Sequence, residues 1–462
     1  MSSRNLSTNE PKWPPRDSTT GGAKGEVAGP NGPVFRGLPN RALITLTLAL
    51  AGFGLMAVYS ASAPEALNSF QDSTVYLRKQ AIACVLGIFL MFSLSKHDYR
   101  KLRKWAWPLS IVSLILLAAT LVPGLSVTTM GSARWINLGP VQFQPSEMVK
   151  AAAIILMASG LSKYFWWHRQ IFMRIAVIMI MAAIVVKQPD LGTSLMILGT
   201  LMAMLYVSGT NSFLIVGSII AGAGVVWQHI QRTPYQMARI QSWLNPYLNP
   251  QKEGWNIIQA QLAIGSGGLW GVGFGRSLQK LYYLPVQHAD FIFAVIAEEF
   301  GLIGCASLLS MFGLFAYLGF KTALQSKTLF GRFLAIGITT SISLQAVTNI
   351  MVTTGLLPVT GITLPFISYG GSSLVITLAM VGILLSISRD RGALDDEDFG
   401  ENDGQQPAQQ QQMPASQSGQ APLSPGNVDT AQAQAGANPQ AAPSASSVAV
   451  ITTPLEGPPA NG

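Results

Sequence analysis

The chain has 462 residues; 49% are hydrophobic, only 11% are charged, and the mean hydropathy is +0.37. Soluble domains average about 25% charged residues, so the composition excludes an ordinary soluble enzyme. The formal net charge of +8 sits in short loops between apolar runs, a membrane-topology pattern and not a nucleic-acid-binding stripe.

Residues 1–41 are polar and rich in Gly, Pro and Ser. The first apolar run starts near Ala42, too far along for a signal peptide, so a retained disordered cytoplasmic tail is expected. A membrane-crossing helix needs about 20 mostly apolar residues. Runs near 42–62, 78–95, 106–122, 148–165, 171–187, 190–208, 212–230, 290–320, 333–355 and 367–388 meet that need. The expected fold class is therefore all-α: a polytopic membrane protein with about ten transmembrane helices over residues 42–388. The run at 290–320 is long enough to tilt or to extend beyond the bilayer. Cys84 and Cys305 lie inside apolar runs and read as small core hydrophobes, with no disulfide framework or zinc spacing. Residues 389–462 open acidic, at Asp395–Asp398, and continue as a Gln/Pro/Ala/Ser low-complexity tail. Each tail reads as a tether or as the carrier of a short docking motif.

Short-loop Lys and Arg residues set the expected orientation. Lys96, Arg100, Lys101, Arg103 and Lys104 follow the second span, Lys163 and Arg169 the fourth, and Lys321, Lys327 and Arg332 the eighth. These loops and both termini are expected on the cytoplasmic side. One large extracytoplasmic loop, about Gln231 to Ala289, then joins helices 7 and 8. Within it Trp243–Pro250 is turn-rich, and Trp255–Ile264 has the pattern of a short amphipathic helix lying at the interface. The glycine run Gly265–Gly275 follows no strand and lacks a Gly-Lys-Ser/Thr ending, so it reads as tight turns and close backbone approach, not a nucleotide loop.

The outward face collects the chemistry. It carries Gly131–Pro140 with Arg134 and Trp135, Gln144–Lys150 with Glu147 and Lys150, Lys187–Thr193 with Asp190, the loop ending at Asp290, and Leu357–Ser373. Each has a structural reading as well. Glu147 suits the first turn of a helix, Glu147 and Lys150 can pair at i,i+3, as can Lys187 and Asp190, and Asp290 can cap the helix after it. Glu298 and Glu299 lie at membrane depth, where acids are expensive. They stand about 12 Å along the helix from Asp290, too far to share its role on a straight helix.

Five blocks in order resemble the SEDS family (shape, elongation, division and sporulation) over about Arg41 to Arg389. They are Gly131-x-x-Arg-Trp-Ile136; Gln144-Pro-Ser-Glu147 with Lys150; Pro189-Asp-Leu-Gly-Thr193; His288-x-Asp-Phe-Ile-Phe293 with Glu298-Glu299-x-Gly301; and Leu364-Pro-Phe-Ile-Ser-Tyr-Gly-Gly-Ser-Ser373. The stretch Gly271–Pro285 is similar to the cell-division branch. Ala289 stands where the family usually carries Thr, and Asn245 and Asn249 where it often has Asp, so no role of those groups transfers here.

The resemblance implies a peptidoglycan glycosyltransferase that polymerises lipid II on the outer face of the cytoplasmic membrane. The 4-hydroxyl of an acceptor sugar would attack the anomeric carbon of a lipid-linked donor. Pyrophosphate already leaves well, so this needs one base and positive charge and not the carboxylate pair of glycoside hydrolysis. The family position makes Asp290 the base. Arg134, Lys150 and Lys187 are candidates for the pyrophosphate, and Glu147 and His288 line the same face. Trp135 can stack on a sugar or anchor in the aromatic belt. A divalent cation such as magnesium or manganese would suit the pyrophosphate, and no motif requires one. The implied partners are lipid II and the growing glycan strand, membrane lipid, a class B penicillin-binding protein and other division proteins, with no nucleic acid. A lipid II flippase and a scaffold for a septal transpeptidase remain as alternatives, since intramembrane acids suit transport equally well.

Overall fold

A computed structural model describes residues 37–122, 126–129, 132–137, 142–251, 254–279 and 289–390. The expected terminal tails fall almost wholly outside these residues. Twelve α-helices are described: α1 Arg41–Phe70, α2 Val75–Lys96, α3 Leu102–Ala119, α4 Pro145–Leu161, α5 Arg169–Lys187, α6 Leu191–Val207, α7 Ser212–Arg232, α8 Pro234–Leu244, α9 Trp255–Gly267, α10 Ile292–Gln325, α11 Leu329–Thr353 and α12 Gly371–Ser388. Eight of them are long and apolar enough to cross a membrane, and this is a multi-pass membrane protein. α4 and α6 coincide with two of the expected spans but have only 17 residues each.

A three-stranded antiparallel sheet was not expected. β1 Ser126–Thr129, β2 Ser132–Asn137 and β3 Gln142–Phe143 pair in that order between α3 and α4. β3 has only two residues, and the sequences of β1 and β2 do not sustain an apolar/polar alternation, so no period-2 signal marks the sheet.

Hydrogen-bond chemistry sets many of the helix boundaries. Asn40 caps α1 by accepting from the Leu43 N–H, and Asp190 caps α6 by accepting from the Thr193 N–H at 3.1 Å. Pro145 opens α4, where its missing N–H costs nothing. α11 and α12 are buried on most sides, whereas α7 is almost bare. In a membrane protein that bareness is met by lipid.

α10 is not one straight rod. Gly301, at φ +65 and ψ −165, breaks it after nine residues. The glycine run packs into the break: Val272 and Gly273 N–H groups donate to the Glu298 and Glu299 carbonyls at 2.9 and 3.0 Å. Leu302 and Ile303 N–H groups donate back to Gly268 and Leu269 carbonyls at 2.9 and 3.2 Å. Backbone groups orphaned by the break are thus paired at membrane depth, as the medium demands. A Cβ on Gly301 would lie 2.6 Å from the Leu269 carbonyl oxygen, and one on Gly271 2.6 Å from the Phe300 nitrogen. The amphipathic pattern of α9 buries Ala260 and Ala263 against Phe291 and Ala294 at the head of α10. The helix expected at the interface is therefore docked on the bundle.

Both ends of the described chain meet at one end of the bundle. The Gly37 N–H donates to the Arg389 carbonyl, Arg100 pairs with Asp390 at 2.7 Å, and the Tyr99 hydroxyl lies 2.8 Å from Thr328 Oγ1. The loops α2–α3 and α10–α11, both rich in basic residues, share that end.

Candidate active site

At the opposite end the described parts of the outward clusters come together. Arg134, on β2, donates from Nε to the Gln188 carbonyl at 3.0 Å and from Nη2 to the Pro189 carbonyl. Its Nη1 lies 3.9 Å from Asp190 Oδ1. The arginine therefore ties β2 to the α5–α6 turn, with donors of its five still uncommitted. Asp190 faces Arg134 and not Lys187; the expected i,i+3 pair is not formed. Lys187 is exposed at the end of α5, whereas Asp190 is 2% exposed and already used as a cap. Trp135 is half-buried on the same strand as Arg134.

Just inside α6, Gly192 sits against Thr360 and Ile362. Between those two, Gly361 (φ +73) faces Asp290, with Oδ2 3.7 Å from where a Cβ would stand. Asp290 thus lies at the meeting of α10, the 358–370 segment and the start of α6, half-buried. It does not cap α10. The N-cap is Phe291, with no side-chain cap bond, and Asp290 stands one residue outside the helix. His288 lies outside the described residues. Among the described residues no group of three or more His, Cys, Asp or Glu side chains gathers as a metal site.

Glu147 and Lys150 form the expected i,i+3 pair in the first turn of α4, 3.0 Å apart and both buried. Two additional partners complete it. Ser373 at the head of α12 donates to Glu147 Oε2 at 3.1 Å, and Lys150 Nζ donates to Gln345 Oε1 on α11 at 2.6 Å. Gln345 then donates from Nε2 to the Thr363 carbonyl at 3.0 Å. One turn on, Asn349 donates to the carbonyls of Asp290 and Ile362 at 2.9 and 2.7 Å. Ser368 Oγ accepts from the Leu364 N–H at 2.8 Å and donates to the Ala289 carbonyl at 2.5 Å. From α2, Gln80 donates to the Ser368 carbonyl and accepts from the Gly370 N–H.

Of this network, Ser368 and Ser373 fell within the Leu357–Ser373 cluster without roles of their own, and sequence reasoning missed the three amides Gln80, Gln345 and Asn349. A signal existed for all three: they are amides inside apolar spans, where each polar group needs a partner. The two membrane-depth acids belong elsewhere. Glu298 accepts from Ser277 Oγ and from the Leu278 N–H at 2.9 Å, and Glu299 accepts from Ser60 Oγ at 2.6 Å. They fasten the loop at Ser277 and Leu278, and α1, to the part of α10 before its break.

A many-spanning helical bundle with its buried ion pair and a loop-borne carboxylate gathered at one end defines a polytopic membrane protein with a polar site at its rim. The chain belongs to the FtsW, RodA and SpoVE family of cell cycle proteins, whose model matches residues 41–392. It is 40% identical to the probable peptidoglycan glycosyltransferase FtsW of Trichlorobacter lovleyi, over 75% of this chain and 92% of the relative. It is also 40% identical to the stage V sporulation protein E of Bacillus subtilis, over 76% and 97%. Among solved structures it resembles a chain of a peptidoglycan synthase complex described for its coordination of polymerization and crosslinking. The TM-score there is 0.65 at 32% identity, covering 76% of this chain and 98% of the other. The rod shape determining protein RodA of Thermus thermophilus matches with TM-score 0.57 at 30% identity, covering 76% and 97%.

Proposed function

We propose that this chain is a peptidoglycan glycosyltransferase that polymerises lipid II into glycan strands during cell division. Relatives named for that activity match nearly their whole length to it. The observation that carries the reading to residues is the placing of Asp290: a half-buried carboxylate on a loop held from two sides, reached through Gly361, Gly192 and Asp190 from the guanidinium of Arg134.

In this reading Asp290 takes the proton of the acceptor 4-hydroxyl as its oxygen bonds to the donor's anomeric carbon. The bond from that carbon to the pyrophosphate oxygen breaks, and undecaprenyl pyrophosphate departs with the electron pair. Arg134 and the exposed Lys187 are the cations with donors to offer the departing phosphates. Lys150, buried and shared between Glu147 and Gln345, acts from behind the site. Glu147, buried with Lys150, acts through that pair; Trp135, half-buried beside Arg134, borders the substrate path, and His288 stands two residues before the base in the sequence.

The basic end of the bundle faces the cytoplasm and the site faces outward, in the bacterial inner membrane at the division site. The likeness to a chain of a synthase complex supports a crosslinking transpeptidase of class B penicillin-binding type as partner. The test uses purified full-length protein in detergent with lipid II, with and without that partner. Wild type forms polymer; Asp290→Asn, still monodisperse, loses about 10²–10⁴-fold in rate. Full polymerase activity in Asp290→Asn would remove its role as base. No polymer under either condition, with headgroup movement in sealed vesicles, would make the chain a flippase.

A further inference from the structure

The base has to be held, and the helix that follows it does not do so: Asp290 lies outside α10 and no side chain caps that helix. Its backbone is held from α11 instead. Asn349 is 1% exposed and commits its amide nitrogen to two carbonyls, Asp290 at 2.9 Å and Ile362 at 2.7 Å. Turning the amide over would set its oxygen against both carbonyls, so this orientation is the only one that fits. The other end, Oδ1, is buried with no hydrogen-bond partner among the described residues. Apolar packing would not leave an orphaned oxygen there, so the two donors are what this side chain supplies.

Both carbonyls lie within reach of the one amide nitrogen, and Gly361, next to Ile362, leaves Asp290 Oδ2 3.7 Å from where a Cβ would stand. One turn earlier on the same face, Gln345 holds the neighbouring Thr363 carbonyl. Next to Asp290, Ser368 holds the Ala289 carbonyl. We infer that Asn349 is a positioning residue for Asp290: by holding the carbonyls of Asp290 and Ile362 together, it fixes the carboxylate against the 361–363 wall. This rests on the reading of Asp290 as the base. Asn349 touches neither substrate nor reacting atoms, and its effect passes through the backbone of Asp290.

The test measures kcat and KM for lipid II per folded molecule, in purified full-length protein with its transpeptidase partner. Asn349→Asp keeps the volume and loses the two donors. Ser368→Ala frees the neighbouring carbonyl without touching α11, and carries the test if Asn349→Asp does not insert. Misplacement by about 1 Å costs on the order of 10²-fold in rate, so kcat falls about 10- to 100-fold while KM stays within about threefold. A kcat within about twofold of wild type in Asn349→Asp, or in Ser368→Ala where Asn349→Asp does not insert, overturns the inference, whether or not the melting temperature has dropped. So does a raised KM with kcat intact, which would mean a binding role. Asp290→Asn runs alongside: if it is active, the base assignment has failed, whereas an inactive Asp290→Asn beside an undiminished Asn349→Asp refutes the positioning role alone.

Discussion

The Glu147–Lys150 pair shows how costly single residues are in this medium. Both side chains are buried, and polar partners meet their charges: 3.0 Å to each other, then Ser373 and Gln345. A buried pair adds little net stability over apolar packing, but removing one member strands the other charge. Lys150→Met should therefore destabilise the protein by about 3–5 kcal/mol, read by thermal or denaturant unfolding in detergent. The double change Glu147→Gln with Lys150→Met should recover much of that loss. Equal instability of single and double variants would show that the pair's charge balance is not what matters. Gly54 on α1 gives a second prediction. A Cβ there would lie 2.8 Å from the Ile367 Cα, beside a Phe366 already held at φ +66. Bulky residues at positive φ are rare and strained, so the segment has little room to retreat. Gly54→Ala should lower the melting temperature and disturb the 364–370 segment that holds Ala289; an unchanged melting curve would contradict this.

At the scale of elements, the break in α10 is the main departure from a simple bundle. Gly301 needs its positive φ and the approach of Leu269 needs its missing side chain. Gly301→Ala should cost at least about 1–3 kcal/mol and increase amide exchange at Val272 and Gly273, whose partners sit across the break. Unaltered exchange there would separate the loop from the break. The sequence made the glycine run legible as close backbone approach, and apolar length made the spans legible. It did not show what the run approached, because the partner carbonyls of Glu298 and Glu299 look like any other helical carbonyls in sequence. The cap assigned to Asp290 failed for a related reason. An Asp before an apolar run fits a cap locally, but α10 starts one residue later, and tertiary bonds from Asn349 and Ser368 fix the approach. The i,i+3 rule found Glu147–Lys150 and mistook Lys187–Asp190, because at the second site Arg134, from a strand that left no sequence signal, stands opposite Asp190.

For the whole molecule, the two ends have opposite characters. One ties Gly37, Arg100, Thr328 and Asp390 together among basic loops; the other carries the sheet, Asp290 and the 358–370 segment. The proposed orientation follows, and both native cysteines are buried, which leaves a quiet background for labelling. In intact cells Tyr247→Cys, on an exposed site near α8, should react with a membrane-impermeant maleimide, and Lys101→Cys should react only after lysis. The reverse pattern would invert the topology. The polar chain from Ser373 through Glu147, Lys150 and Gln345 to Thr363, with Asn349 one turn beyond, has a consequence for how this protein can change. From Ser373 to Thr363 each member bonds to the next, so altering one position resets the value of its neighbours. Effects of paired substitutions along it should depart from the sum of the single ones by about 0.5–3 kcal/mol. Neutral drift is then closed to these positions one at a time: a lineage could exchange the circuit for another only by several coordinated steps, each intermediate being less fit than either end.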